Sequence, residues 1–92
     1  MSFLMKFSNE SKLDLIEANT YYLAVSQELS AKFKLDVSET IDRITMNPEH
    51  FLKRYRHIKI VFTKVFPFGV HYLVEGDTVF IQRIMHQKRL YQ

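Results

Sequence analysis

From Ser8 to Asn47 the chain runs without a glycine or a proline, so nothing in that interval breaks a helix by itself. Leu15, Ala18, Tyr22, Val25 and Leu29 recur there at steps of three and four, and Phe33, Val37, Ile41 and Ile44 continue the rhythm as a second apolar stripe. One unbroken helix of ~39 residues would extend about 58 Å, far too long for a domain of this size. The interval must fold back on itself. Ser26-Gln27-Glu28 is the predicted hinge, because Ser26 can cap a second helix and Glu28 favours its positive N-terminal end. Ser8 or Asn9 caps the first helix, and Asn47-Pro48 stops the second.

On either side of the helical interval the pattern has period two. Phe3, Met5 and Phe7 mark a short strand before it. After the loop NPEHFLKRYRH come three strand-like runs, Ile58 to Thr63, Phe68 to Glu75 and Thr78 to His86, the last two joined by the two-residue turn Gly76-Asp77. That turn pairs Glu75 with Thr78, Leu73 with Phe80 and His71 with Gln82. Alternation then places Val70, Tyr72, Val74, Val79, Ile81 and Met85 on the core side, with Ile58, Ile60 and Phe62 from the preceding strand. His57, Lys59, Val61, Thr63, His71, Leu73, Gln82, Ile84 and His86 fall on the opposite side. Arg83 is out of place on the apolar face: either it reaches an acidic residue of a helix, or the register slips near the strand end. The expected architecture is a single α+β domain over residues 1–92. It has an N-terminal strand, a two-helix hairpin and a three-stranded antiparallel meander, forming one sheet with the helices on one face.

Charge is distributed unevenly. Residues 1–49 carry five Lys/Arg against eight Asp/Glu, a net −3, whereas residues 50–92 carry eight against two, a net +6, together with all four histidines. The strand-bearing half thus carries a positive field suited to a polyanion or an acidic protein. There is no cysteine, which excludes disulfides and thiolate metal ligands and makes a reducing cytoplasm the expected compartment. No run approaches the ~18 apolar residues of a membrane span, and no leader is expected from MSFLMKFSNE.

The common catalytic motifs are absent: no Ser/His/Asp pattern, no nucleophilic cysteine and no glycine-rich phosphate loop. His71 and His86 lack carboxylates at ligand spacing and sit among cations, so neither a metal nor any other cofactor is expected. The chemistry that fits imidazoles beside lysines and arginines is metal-free cleavage of RNA. A base takes the 2′-hydroxyl proton, an acid protonates the leaving oxygen, and cations stabilise the developing charge.

Taken in order, Asn47-Pro48 with Phe51, Arg54-Tyr55, Ile58-Lys59, Phe66-Pro67-Phe68, Tyr72, Glu75 with Asp77, and His86 with Arg89 resemble the RelE/ParE superfamily of bacterial toxin–antitoxin toxins, the plasmid stabilisation proteins. The resemblance covers nearly the whole chain. It implies a compact α+β toxin with an antiparallel sheet, inhibited by an acidic antitoxin that wraps around it. RelE-like members cut mRNA on the ribosome, and ParE-like members poison DNA gyrase. Under the first reading His86 is the acid or base, Lys59 and Arg89 are the catalytic cations, and Arg54, Arg56, His57, His71, Gln82, Lys88 and Tyr91 contact RNA or phosphate. Under the alternative the chain inhibits gyrase without chemistry, or is an inactive relic that only binds its antitoxin. Lys59 replaces the arginine many relatives carry, losing its bidentate fork. The ending Leu90-Tyr91-Gln92 departs from the usual proline and tryptophan.

Overall fold

The computed structural model describes residues 3–88, and of Arg54 the backbone alone. Ser8 accepts the Ser11 N–H at 3.0 Å and starts α1 (Asn9–Val25). Ser26, with φ −167° and ψ 154°, interrupts the helical path for one residue. It ends α1 and, by accepting the Leu29 N–H at 3.0 Å, caps α2 (Gln27–Met46). One extended serine therefore does what the missing glycine or proline would have done. Asn47 leaves helical geometry, and Pro48 follows it into the chain's return. No helix among the described residues is long and apolar enough to cross a membrane.

The strands are β1 (Leu4–Phe7), β2 (Lys53–Tyr55), β3 (Ile58–Phe62), β4 (Phe68–Glu75) and β5 (Thr78–His86). They form one sheet in the order β1-β5-β4-β3-β2. The meander expected from alternation is present in β3, β4 and β5, while β2 is an extra edge strand inside what reads as a loop. β1 lies parallel to β5, and the other pairings are antiparallel. Gly76 takes φ +60° in the β4–β5 turn, the positive value that a two-residue hairpin with glycine first requires.

Phe33, Val37 and Ile44 of α2 and Ala18 of α1 meet Val61, Val70, Tyr72, Val79, Ile81 and Ile84 of the sheet in one buried core, with Phe66 and Phe68 beside them. Phe3, Met5 and Phe7 pack against it, and Val25 does not: it is 65% exposed. Asp36, buried on α2, accepts the N–H groups of Lys64, Val65 and Phe66 and so fixes the β3–β4 loop to the helix.

Two expectations about faces are corrected. In β3 the sides are reversed: Lys59 pairs with Tyr72 and Val61 with Val70, so Lys59, Val61 and Thr63 are buried on the helix side, and Ile58, Ile60 and Phe62 are half-buried on the other. Alternation points the run the wrong way, because its more apolar side, Ile58, Ile60 and Phe62, is the one left half-buried. The buried polar groups decide, because each finds a carbonyl. Thr63 donates to that of Phe66, and the Lys59 ammonium donates to those of Pro48 and Glu49 at 3.3 and 3.0 Å.

In β5 the register slips. Tyr72 pairs with Ile81 but His71 pairs with Arg83, so Gln82 is the extra residue of a bulge and not the partner of His71. Beyond it the alternation inverts. Ile84 enters the core at 1% exposure, Met85 leaves it for a half-buried position, and His86 follows Ile84 to the helix side.

Candidate functional site

The sheet face away from the helices bears the half-buried side chains of Ile60, Phe62, Leu73 and Phe80, and beside them a polar cluster centred on His71. Gly69 keeps this surface flat: a Cβ there would come within 3.0 Å of Ile60 Cγ2 and 3.3 Å of the Phe62 ring. Tyr55 reaches from β2 across β3, its hydroxyl 2.8 Å from His71 Nδ1 and its ring edge-on to the imidazole. His71 is consequently only 2% exposed, and its Nε2 has no hydrogen-bond partner among the described residues. Burial pushes the imidazole pKa down, the Arg83 guanidinium pushes it further, and Asp14 opposes the shift. A histidine so placed is neutral near pH 7.

Arg83 explains both the bulge and its own position. The bulge turns it toward α1, where Asp14 holds it through Nε at 2.8 Å and Nη2 at 3.0 Å. The same carboxylate accepts the Ile84 N–H at 2.9 Å, and Ser8 donates to the Gln82 carbonyl. Both alternatives raised for Arg83 are thus realised together: it reaches an acidic helix residue because the register slips. Its guanidinium is held even more firmly protonated by that hydrogen bond to Asp14.

Of the expected catalytic set, Lys59 and His86 stand apart. Lys59 is 6% exposed beneath the helices, and Tyr72 joins it by donating to the same Pro48 carbonyl at 2.6 Å. Burial, with the Glu49 charge, raises the Tyr72 phenol pKa and keeps that donor protonated. His86 pairs with Phe68 and Lys59 with Tyr72, so the two levels are four residue steps apart along β4. That is about 13 Å at ~3.3 Å per residue. His86 lies edge-on to Phe68 and accepts the Lys88 N–H on Nδ1 at 3.2 Å, which puts the proton of a neutral ring on Nε2. With Lys88 it lines one side of a cleft of about 560 Å³, opposite Asp14, Tyr21 and Tyr22 of α1.

Of the other expected contacts, Arg56 and His57 are exposed in the β2–β3 turn, where Arg56 takes φ +50°. Gln82 is in the bulge, the Arg54 backbone is in β2, and Arg89 and Tyr91 lie outside the described residues. The structure brings together His71, Tyr55, Arg83 and Asp14; the sequence pointed to His71 and to an acidic helix partner for Arg83, without naming Asp14, and not to Tyr55. Tyr55 stands in a run that reads as loop, and the one sequence signal of the bulge is Arg83 falling on the apolar face.

A family model described as ParE toxin of type II toxin-antitoxin system, parDE, matches residues 5–91. The fold is similar to that of the chromosomal ParDE toxin–antitoxin system from P. aeruginosa, with a TM-score of 0.80 at 18% identity, covering 92% of this chain and 96% of that one. The RelB–RelE antitoxin–toxin complex from Methanococcus jannaschii aligns at 0.55 with 21% identity, covering 94% of each chain. A mutant of YafQ from E. coli aligns at 0.61 with 13% identity, covering 98% and 99%. None of the curated proteins matches the chain.

Proposed function

This chain belongs to the ParE toxin family of type II toxin–antitoxin systems, and from that premise we propose that it acts by binding a protein target, DNA gyrase, rather than by cleaving RNA. The observation that carries the reading is the position of Lys59. A cation meant to oppose charge on a phosphorane must reach the phosphate, yet this ammonium is buried and bonded to two backbone carbonyls. The imidazole meant to act with it stands about 13 Å along the sheet, by ~3.3 Å per residue, in a cleft beside α1.

Two of the similar structures are toxin–antitoxin systems or complexes, which supports an antitoxin as partner of this chain. Its basic strand-bearing half suits an acidic protein. The open sheet face, apolar at Ile60, Phe62, Leu73 and Phe80 and cationic at its margin, is the surface such a protein would cover.

The test pairs a supercoiling assay on purified gyrase with primer extension on a translated message. Blocked supercoiling with intact message is the expected result. Ribosome-dependent cuts that vanish with His86→Ala would overturn it in favour of the ribonuclease.

A further inference from the structure

α1 is apolar on two sides. Leu15, Ala18 and Tyr22 pack toward the core, while Leu13, Ile16 and Leu23 lie on the side away from it, exposed at 63, 62 and 50%. A helix that is apolar all round calls for cover on both faces. With Thr20, the outer residues fall at steps of three, four and three, the spacing of the a and d positions of a coiled coil over two heptads. Thr20 donates its hydroxyl proton to the Ile16 carbonyl at 2.7 Å, so the polar group of the stripe is satisfied within the helix and asks nothing of a partner.

α2 adds to the same surface. Ser30 donates to the Asn19 side chain, a register that sets Leu35 level with Asp14 on the returning helix. Leu35 is 59% exposed and widens the apolar patch beside Leu13 and Ile16.

The flanking charges decide what fits. In a parallel two-helix pairing, the residue before an a position faces, across the seam, the residue after the following d position. Here these are Lys12 and Glu17, opposite in sign and both exposed. Two-fold symmetry makes that contact twice. The next such pair, Asn19 and Ala24, is neutral. A uniformly acidic partner would meet Glu17 and a uniformly basic one Lys12, so the stripe complements itself better than either. From Leu13 to Leu23 the seam is about 15 Å long at ~1.5 Å per residue. Even with Leu35 it stays below the ~800 Å² per partner of a stable interface. The pairing is therefore weak, with a Kd on the order of 100 µM.

We propose that α1 carries a self-association seam, through which two copies of this chain pair as parallel helices about a two-fold axis, with Leu13, Ile16, Thr20 and Leu23 in contact and Lys12 of each copy opposite Glu17 of the other. The seam lies on the side of α1 away from the core, and the proposal does not depend on which target the toxin attacks.

The test is sedimentation velocity of the full chain from about 10 µM to about 1 mM, a range centred on that Kd. The weight-average coefficient is expected to rise across it, and Ile16→Glu, at an exposed position, to remove the rise while the far-UV circular dichroism stays that of the parent. Lys12→Glu and Glu17→Lys each set like charges against one another in both contacts and should weaken pairing about tenfold. An equimolar mixture of the two should regain the parent affinity, because each then meets its opposite. A single-chain mass at the highest concentration overturns the seam, as does self-association that survives Ile16→Glu or a mixture no tighter than its components. So does a chain that stays monomeric while its Ile16 and Leu23 amides shift on addition of purified gyrase, which assigns the face to the target instead.

Discussion

Replacing Lys59 by methionine separates a structural lysine from a phosphate-binding one. Methionine keeps most of the apolar stem and removes the ammonium, so the loss is confined to the donors that hold the Pro48 and Glu49 carbonyls at the end of α2. Hydrogen bonds from a charged donor contribute about 1.5–3 kcal/mol each. Relief from burying the ammonium offsets part of this. Pro48 also keeps the Tyr72 hydroxyl, which leaves a net destabilisation of ~2 kcal/mol. With an unfolding entropy of about 2.1 cal/mol/K per residue over 92 residues, Lys59→Met should lower Tm by about 10 °C. Thermal melts followed by circular dichroism measure this, with His86→Ala as the comparison; that half-exposed position should shift Tm by no more than about 5 °C. A Lys59→Met protein melting within about 2 °C of the parent would show the ammonium to be free of the fold. The case against its phosphate role would then fail.

His71 gives a pH signature. Its pKa is lowered in the fold, first by burial and then by Arg83, from an ordinary 6.5. The unfolded chain therefore binds the extra proton first, and stability falls as pH drops below 6.5, by at most about 1.4 kcal/mol per pH unit. Tm measured from pH 7.5 downward should show a decline that His71→Gln flattens; parallel profiles would contradict the burial argument. Asp14→Ala removes both the Arg83 partner and the acceptor for Ile84 N–H, at a cost of about 2–3 kcal/mol. It also removes the one charge that raises the His71 pKa. An imidazole titration by NMR should move lower in Asp14→Ala, and no movement would disconnect the two groups.

Much of this molecule follows from local rules on the chain alone. The hinge at Ser26 was legible because forty helical residues cannot stay straight in a small domain and serine is the residue there able to cap. The β4–β5 hairpin was legible from Gly76-Asp77, and the β5 boundaries from its run of alternating residues. The overall architecture and the toxin family also followed, the latter from motifs spread along the whole chain.

The faces did not follow. In Ile58 to Thr63 alternation points the more apolar side inward, but the orientation was settled by whether Lys59 and Thr63 could find buried carbonyls, and those belong to Pro48, Glu49 and Phe66 outside the strand. Gln82 becomes a bulge residue because Ser8 and Asp14, distant in sequence, offer hydrogen bonds to the β5 edge just past the end of β1. That single extra residue moves His86 to the helix side and Arg83 to Asp14, and leaves His71 with Tyr55. Alternation is a local property, but which side of a strand is inside depends on partners supplied by the rest of the fold.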